Sequence, residues 1–288
     1  MSFRSDAKAL AYQAGGSYKT IHDRQLAVAR FADYLQRSNI QIRSIDHLKG
    51  RHVAGFVEAR IAAGISLRTI QNEITGIRTI LREANRDKLA DQLRTKDLGI
   101  GGASRDGSKV AMSDERFSGL HAVVLVKDAG VAAVIELQRV LGLRAEEGVK
   151  ACKSLATWER ELSAGRPVRV VFGTKGGRPR DVSPANRDRA LAAVRAARAL
   201  AARQAGVLVN RPDERQAMNR YRNVLYSAGA TGRESGHSLR YAFAQEQMRA
   251  YIANGYSRRE ALALTSMDLG HGDGRGRYIE QVYGQQGS

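Results

Sequence analysis

The stretch VRVVFGTKGGRPRDVSP, residues 168–184, is where the apolar pattern of the chain takes the form of a strand. Residues 168–172 are an apolar run rich in β-branched and aromatic side chains, Gly-Thr-Lys-Gly-Gly can adopt a tight turn, and a second short run ends before Pro184. That order predicts a β-hairpin. Outward from it the pattern is helical on both sides. Residues 113–151 predict helices running into Arg144, and four more are predicted within 185–206, 214–229, 237–255 and 257–272. A small sheet among many helices follows, a mainly α chain of the α+β class.

Further upstream, residues 17–95 predict a separate helical unit. Ile21, Leu26, Val28, Phe31, Tyr34 and Leu35 recur at helical spacing behind Ser17, and Val53, Phe56, Val57 and Ile61 do so ahead of Gly64. A third segment carries Ile70, Ile74, Ile77 and Leu81, an amphipathic stripe whose opposite face bears Arg68, Arg78 and Arg82. Between the two helical regions, DLGIGGASRDGSKV (97–110) loses all periodicity and gains glycine and serine, which predicts a linker. The expected organisation is therefore a helical domain over 1–98, a linker over 99–110 and a second domain over 111–288.

Composition narrows the partner. Across 288 residues the formal net charge is +18, with 17 Lys and Arg against 10 Asp and Glu in residues 1–100 and 30 against 19 in the remainder. Both parts are basic, so the excess suits a polyanion wrapped by the whole molecule, and nucleic acid is the leading candidate over a merely basic protein. No apolar run approaches the roughly 20 residues that a bilayer span requires, and the first residues lack the apolar core of a signal peptide. A cytoplasmic protein without membrane contact is expected. One cysteine, Cys152, excludes an intrachain disulfide and a cysteine-based zinc cluster.

Four local features bear on chemistry. Arg144 has Glu147 three residues on, which in isolation reads as a surface ion pair. Lys175 sits at the hairpin turn, where a solvated lysine is ordinary. His237 and Arg240 are three apart and so share a helix face. Last comes LGHGDGRGRYIEQVYG (269–284), with His271, Tyr278 and Tyr283. Together they supply cations, donors and a phenol, without a carboxylate pair or a Cys/His ligand set. Their natural ligand is a phosphate. Guanidinium forks hold non-bridging oxygens and stabilise the charge that builds in a pentacoordinate transition state. A phenol among cations can act as nucleophile, lysine can protonate a departing 5′ oxygen and histidine can manage the phenol proton. No metal or other cofactor is called for.

The order Arg144, Lys175, His237-x-x-Arg240, His271, Tyr resembles the tyrosine recombinase (phage integrase) family, and the flanking residues agree. LGLRAEE is similar to the family's G-L-R-x-x-E, GTKGGRPRDVSP to its lysine hairpin, HSLRYAFA to its H-x-L-R-x-x-F-A, and LGH to its penultimate box. SLRTIQNEITGIRTILREA is similar to the closing helix of the family's SAM-like core-binding domain. The resemblance implies a two-domain clamp on double-stranded DNA that cuts one strand to leave a 3′-phosphotyrosine and a free 5′-hydroxyl. Such an enzyme serves integration or excision of a mobile element. It implies Arg144 and Arg240 as phosphate clamps, Lys175 as general acid, His237 and His271 as proton-transfer and phosphate-binding groups, and Glu147 as structural support. Arg68, Arg78, Arg82, Arg178 and Arg180 are expected to meet DNA. A homotetramer on DNA, a monomer or weak dimer when free, and accessory DNA-bending factors complete the expectation.

The sequence also departs from the family pattern. The family's tyrosine usually follows the LGH histidine by about nine residues, where this chain has Glu280. Tyr283 is the preferred nucleophile, because EQVYG resembles the family's apolar-Tyr ending, and Tyr278 is the alternative. Only five residues follow Tyr283, so how protomers couple is left open. Two other readings also stay open: DNA relaxation of the type IB topoisomerase kind, and a nucleic-acid-binding protein without catalysis.

Overall fold

A computed structural model describes residues 2–103, 109–272, 274 and 276–283. The chain divides into two compact units, Met1–Ser104 and Arg105–Ser288.

The first unit is helical: α1 (Phe3–Gln13), α2 (Tyr18–Arg37), α3 (Gly50–Ala62), α4 (Leu67–Glu83) and α5 (Asp87–Gln92). The Ser17 and Ser66 side chains cap α2 and α4 by accepting from the amides of Thr20 and Thr69, satisfying first-turn donors that have no partner inside the helix. The predicted stripe of α4 is fully buried, since Ile70, Ile74, Ile77 and Leu81 are all inaccessible. Phe31 of α2 meets Phe56 of α3 edge-on at 5.2 Å. Helix α1 lies outside the segments read as helical. It buries Phe3, Ala7 and Ala11, one residue per turn, and Phe3 packs edge-on to Phe31. Two residues assigned to core stripes lie elsewhere: Leu26 is 40% exposed and Ile61 45%. Leu26 stands two residues before Val28, about 200° round the helix from the buried face, and Ile61 sits in the last turn of α3.

The residues read as a linker are held at both ends. Ile100 is buried in the core of the first unit, while the amides of Val110 and Met112 donate to the carbonyls of Arg233 and Ser238 in the second. Residues 104–108 lie outside the described residues.

In the second unit, α6 (Asp114–Lys127), α7 (Ala129–Leu141), α8 (Ala145–Val149) and α9 (Leu155–Ser163) precede β1 (Val168–Val170) and β2 (Arg180–Val182). Then come α10 (Arg187–Arg203), α11 (Glu214–Ser227), α12 (Ser238–Ala253), α13 (Arg258–Asp268) and α14 (Gly276–Tyr283). Helix α7, apolar on nearly all sides, is the centre, buried against α6, α8, α10 and α12. The hairpin pairs antiparallel, Val168 opposite Val182 and Val170 opposite Arg180. It rests on α9, whose Trp158 is 1% exposed and donates its indole N–H to the Arg169 carbonyl at 2.9 Å. This two-stranded sheet amid helices is the α+β architecture expected from residues 168–184. Among the described residues, no helix is long and apolar enough to cross a membrane.

Helix α7 ends at Gly142, which takes a left-handed φ of +59°. A β-carbon there would run into the Phe243 ring of α12. Gly142→Ala therefore combines backbone strain with overpacking and is expected to cost about 1–3 kcal/mol. Urea unfolding should show a lower midpoint at unchanged slope.

Candidate active site

The C-terminal ends of α7 and α13 converge, and each leaves carbonyls that its own helix cannot satisfy. Three guanidinium groups from three other places fill them. Arg180, on β2, donates Nε–H to the Asp268 carbonyl at 2.8 Å and a second N–H to the Gly142 carbonyl at 3.4 Å. Arg240, on α12, donates to the carbonyls of Gly142 and Leu269. Arg144 reaches the Leu269 carbonyl at 3.4 Å. Cations at helix C-termini also meet the negative end of each helix dipole.

Among the described residues, Glu147 is the carboxylate that hydrogen-bonds to these arginines. It is 1% exposed and forms a two-pronged pair with Arg180 at 2.6 and 2.7 Å. It also accepts from the Arg144 guanidinium at 2.8 Å and the Arg144 amide at 2.7 Å. Burial would raise its pKa, but the hydrogen bonds and charge of Arg180, the Arg144 amide and the charge of Arg240 outweigh that and hold it at about 2. Burial and the neighbouring Arg180 bring Arg240 down to about 10, so it stays charged at neutral pH. Its buried Nε has no hydrogen-bond partner among the described residues. Of the three arginines only Arg144 is partly open, its side chain 23% exposed.

Gly270 explains how β2 and the turn after α13 approach so closely. It has a φ of +68°, and a β-carbon would lie 2.8 Å from Cδ of Arg180. Beyond it, the His271 amide donates to the Ser266 carbonyl at 2.9 Å and the Ser266 hydroxyl donates to the Gly272 carbonyl, which fixes the histidine on the turn.

Both histidines meet the C-terminal helix through their rings. Tyr283 is 2% exposed, with centroid distances of 5.9 Å to His271, 6.5 Å to His237 and 4.5 Å to Tyr241. Tyr278 is half-buried and stands edge-on to His271 at 5.3 Å, with Tyr283 at 6.4 Å. The protein packed round the His237 imidazole, then the charges of Arg240, Arg144 and Lys109, push its pKa down to about 4, although part of the residue stays open to solvent. His237 is thus neutral at neutral pH and able to take up a proton.

Arg144, Glu147, Arg240, His237, His271 and both tyrosines are gathered in this way. Lys175 is not: it is exposed in the turn joining β1 to β2, without an ion-pair partner among the described residues, and Arg178 is exposed beside it. The expected DNA contact of Arg180 is corrected, because register points it inward opposite Val170 and its side chain is 4% exposed beneath Glu147. In the first unit Arg68 donates to Gln71 and to the Ala103 carbonyl, and Arg78 to the Ala90 carbonyl, while Arg82 pairs with Asp91 in the open. Sequence reasoning missed Asp268, Gln247, Tyr251 and Lys109. For Arg180 a signal existed, since Val182 two residues on must share its face.

Two family descriptions match the chain, Integrase over residues 99–246 and Phage integrase, N-terminal, over residues 1–90. The first stops short of His271 and both tyrosines. No curated protein matches. Among solved structures the fold is similar to a lambda integrase dimer bound to a COC′ core site, with a TM-score of 0.61 and 10% identity over 99% of this chain and 78% of that one. It is similar to the Tn1549 transposon integrase in complex with transposon right end DNA, with a TM-score of 0.61 and 13% identity over 100% and 96%. A third is XerH site-specific recombinase bound to a palindromic difH substrate in a post-cleavage complex, with a TM-score of 0.54 and 16% identity over 90% and 75%. At such identities the likeness is one of fold.

Two of the shifted groups, His237 and Glu147, make stability fall with acid in adjoining windows. His237 has a folded pKa of about 4 against an ordinary 6.5, so the unfolded chain takes up the proton first, and stability drops as pH falls from 6.5 towards 4. Glu147, at about 2 against 4.5, contributes stability above pH 4.5 that is lost as pH falls towards 2. Chemical denaturation across this range should show a continuous decline, and His237→Asn should lessen the fall in the upper window, to which His52, also lowered by burial, contributes, while leaving the lower.

Proposed function

Because the chain belongs to the phage integrase family of tyrosine recombinases, we propose that it is a site-specific DNA recombinase that cuts and rejoins strands through a 3′-phosphotyrosine. The observation that carries this reading is the Tyr283 ring lying beside both His237 and His271, next to the cluster of Arg144, Arg240 and Glu147. A phosphodiester drawn to these cations lends its non-bridging oxygens to Arg144, the partly open guanidinium, while Arg240 supplies charge from a buried position where it is little screened.

The Tyr283 Oη attacks phosphorus and its proton passes to an imidazole, His237 or His271. The bond to the 5′ oxygen breaks in line, and that oxygen takes a proton from Lys175 as the hairpin turn closes on the DNA. One P–O bond forms as one breaks. The 5′-hydroxyl of another strand can therefore reverse the step and release the tyrosine without a nucleotide cofactor. Tyr283 is favoured over Tyr278 because its ring lies beside both histidines, 5.9 Å from His271 and 6.5 Å from His237. One nucleophile cuts one strand, so exchange between two duplexes calls for four copies on the DNA. Integration or excision of a mobile element fits this chemistry.

Incubation with a nicked duplex carrying the chain's own crossover site should trap a protein–DNA adduct that survives boiling in detergent. Tyr283→Phe should abolish the adduct and Tyr278→Phe should leave it; the opposite pattern would move the nucleophile to Tyr278. Absence of adduct on verified target DNA rules out the covalent mechanism, and relaxation of supercoils without partner exchange points to a topoisomerase. Affinity should fall steeply with salt, with a log–log slope of about −0.9 for each phosphate neutralised. A flat slope would remove the clamp.

A further inference from the structure

Asp268 is an unusual residue for its place. It ends α13 and is 5% exposed, and among the described residues it forms no ion pair. A carboxylate at a helix C-terminus meets the negative end of the helix dipole, and burial pushes its pKa up. Both effects disfavour an acid there.

Its side chain is nevertheless fully occupied. Oδ2 accepts from Gln247 Nε2 at 2.7 Å and from the Tyr251 phenol at 2.8 Å, and Oδ1 accepts from the Ser183 amide at 3.3 Å. Gln247 extends the network, donating to the Ser183 carbonyl at 2.7 Å and accepting from the Ala185 amide at 2.5 Å. One carboxyl group thus binds α12, α13 and the chain leaving β2. The main chain of the same residue faces the arginine cluster: the Asp268 carbonyl takes Nε–H of Arg180, and the next carbonyl, Leu269, takes Arg144 and Arg240. The following residue, Gly270, leaves no slack against Cδ of Arg180.

We propose that Asp268 is a positioning residue for strand transfer, whose side chain, held by Gln247, Tyr251 and the Ser183 amide, fixes the carbonyls of residues 268 and 269 and through them the aim of all three arginines. The proposal rests on the covalent strand-transfer reading above. Asp268 itself touches no reacting atom. A rotation of its peptide would move the anchors of Arg180, Arg144 and Arg240 together, and misplacement by about an ångström costs as much as 10²-fold in rate.

The test is single-turnover cleavage of a suicide duplex carrying the chain's own crossover site, at saturating protein and well below the melting point. DNA affinity and thermal midpoint are measured alongside. Asp268→Ala should cleave roughly 10- to 100-fold more slowly than wild type, with DNA affinity changed by no more than about threefold, a loss made only in the transition state. Asp268→Asn keeps an acceptor for Gln247 and Tyr251 and should recover most of the rate. Tyr251→Phe, which removes one of three donors and little volume, should fall between. A merely structural Asp268 would lower the midpoint and leave the rate of the folded protein alone. Wild-type cleavage by Asp268→Ala, or by Tyr251→Phe where the alanine variant does not fold, overturns the proposal, as does a rate lost only in proportion to affinity. If the wild-type chain itself gives no adduct, the strand-transfer reading fails and this role falls with it. A wild-type adduct with undiminished variants removes the positioning role alone.

Discussion

Three guanidinium groups stand in one small volume because Glu147 and the carbonyl ends of two helices stand among them. Like charges at such separations repel, and burial removes the water that would screen them. Glu147 offsets Arg180 directly with two hydrogen bonds and Arg144 with another, and the carbonyls of Gly142, Asp268 and Leu269 take further guanidinium donors. Removing one partner from such a buried pair generally costs about 3–5 kcal/mol, because the other charge is left uncompensated. Glu147 is therefore the keystone of the arginine cluster. The hairpin and the start of α8 meet at its two oxygens, through Arg180 and Arg144.

The cluster is lopsided, with three positive groups around one negative one. Its surplus is directed at Arg144, the arginine that solvent can still reach, while Arg180 lies beneath Glu147 and Arg240 is buried at the helix ends. The same economy of arginine use appears in the first unit, where Arg60 and Arg30 converge on the buried Glu73 and Arg86 donates to the carbonyls of Ile45 and Leu48. A large share of the basic side chains thus holds helices and turns in place. The net charge of +18 counts cations that are already committed to the fold.

The parts of the site written in contiguous sequence are legible from the sequence itself. Gly-Leu-Arg-x-x-Glu, His-x-x-Arg and Leu-Gly-His are short, and spacing alone puts their members on one helix face or at one turn. The α4 stripe is equally plain, four residues with one period. What escapes such reading is the relation between distant segments. Arg180 resembles a surface cation unless strand alternation is counted from Val182, which shares its inward face opposite Val170. Asp268 gives no sign, since its partners Gln247, Tyr251 and Ser183 lie 21, 17 and 85 residues away. Helix α1 hides because its buried face is mostly alanine, which carries little apolar signal. Lys175 does lie in a turn, as its neighbouring glycines predict, and its exposure reflects a chain whose turn residues have little to pack against.

Much of what holds the arginines is main chain. Gly142, Asp268 and Leu269 offer their carbonyl oxygens, which every amino acid would also offer, so the acceptors are invisible to side-chain replacement. An alanine scan of this region would register Arg144, Glu147, Arg180 and Arg240 and pass over half of their partners. Apart from Asp268, whose side chain holds two of these carbonyls in place, the hidden half becomes visible genetically where the backbone path depends on having no side chain. Among the described residues Gly142, Gly270 and Gly173 are such windows, each in a left-handed conformation, where a β-carbon would meet Phe243 of α12, Arg180 of the cluster and the backbone of Glu146 and Glu147 respectively. A map of tolerated substitutions should therefore show these glycines intolerant despite having no chemistry of their own, marking where the arginine cluster is built from peptide groups.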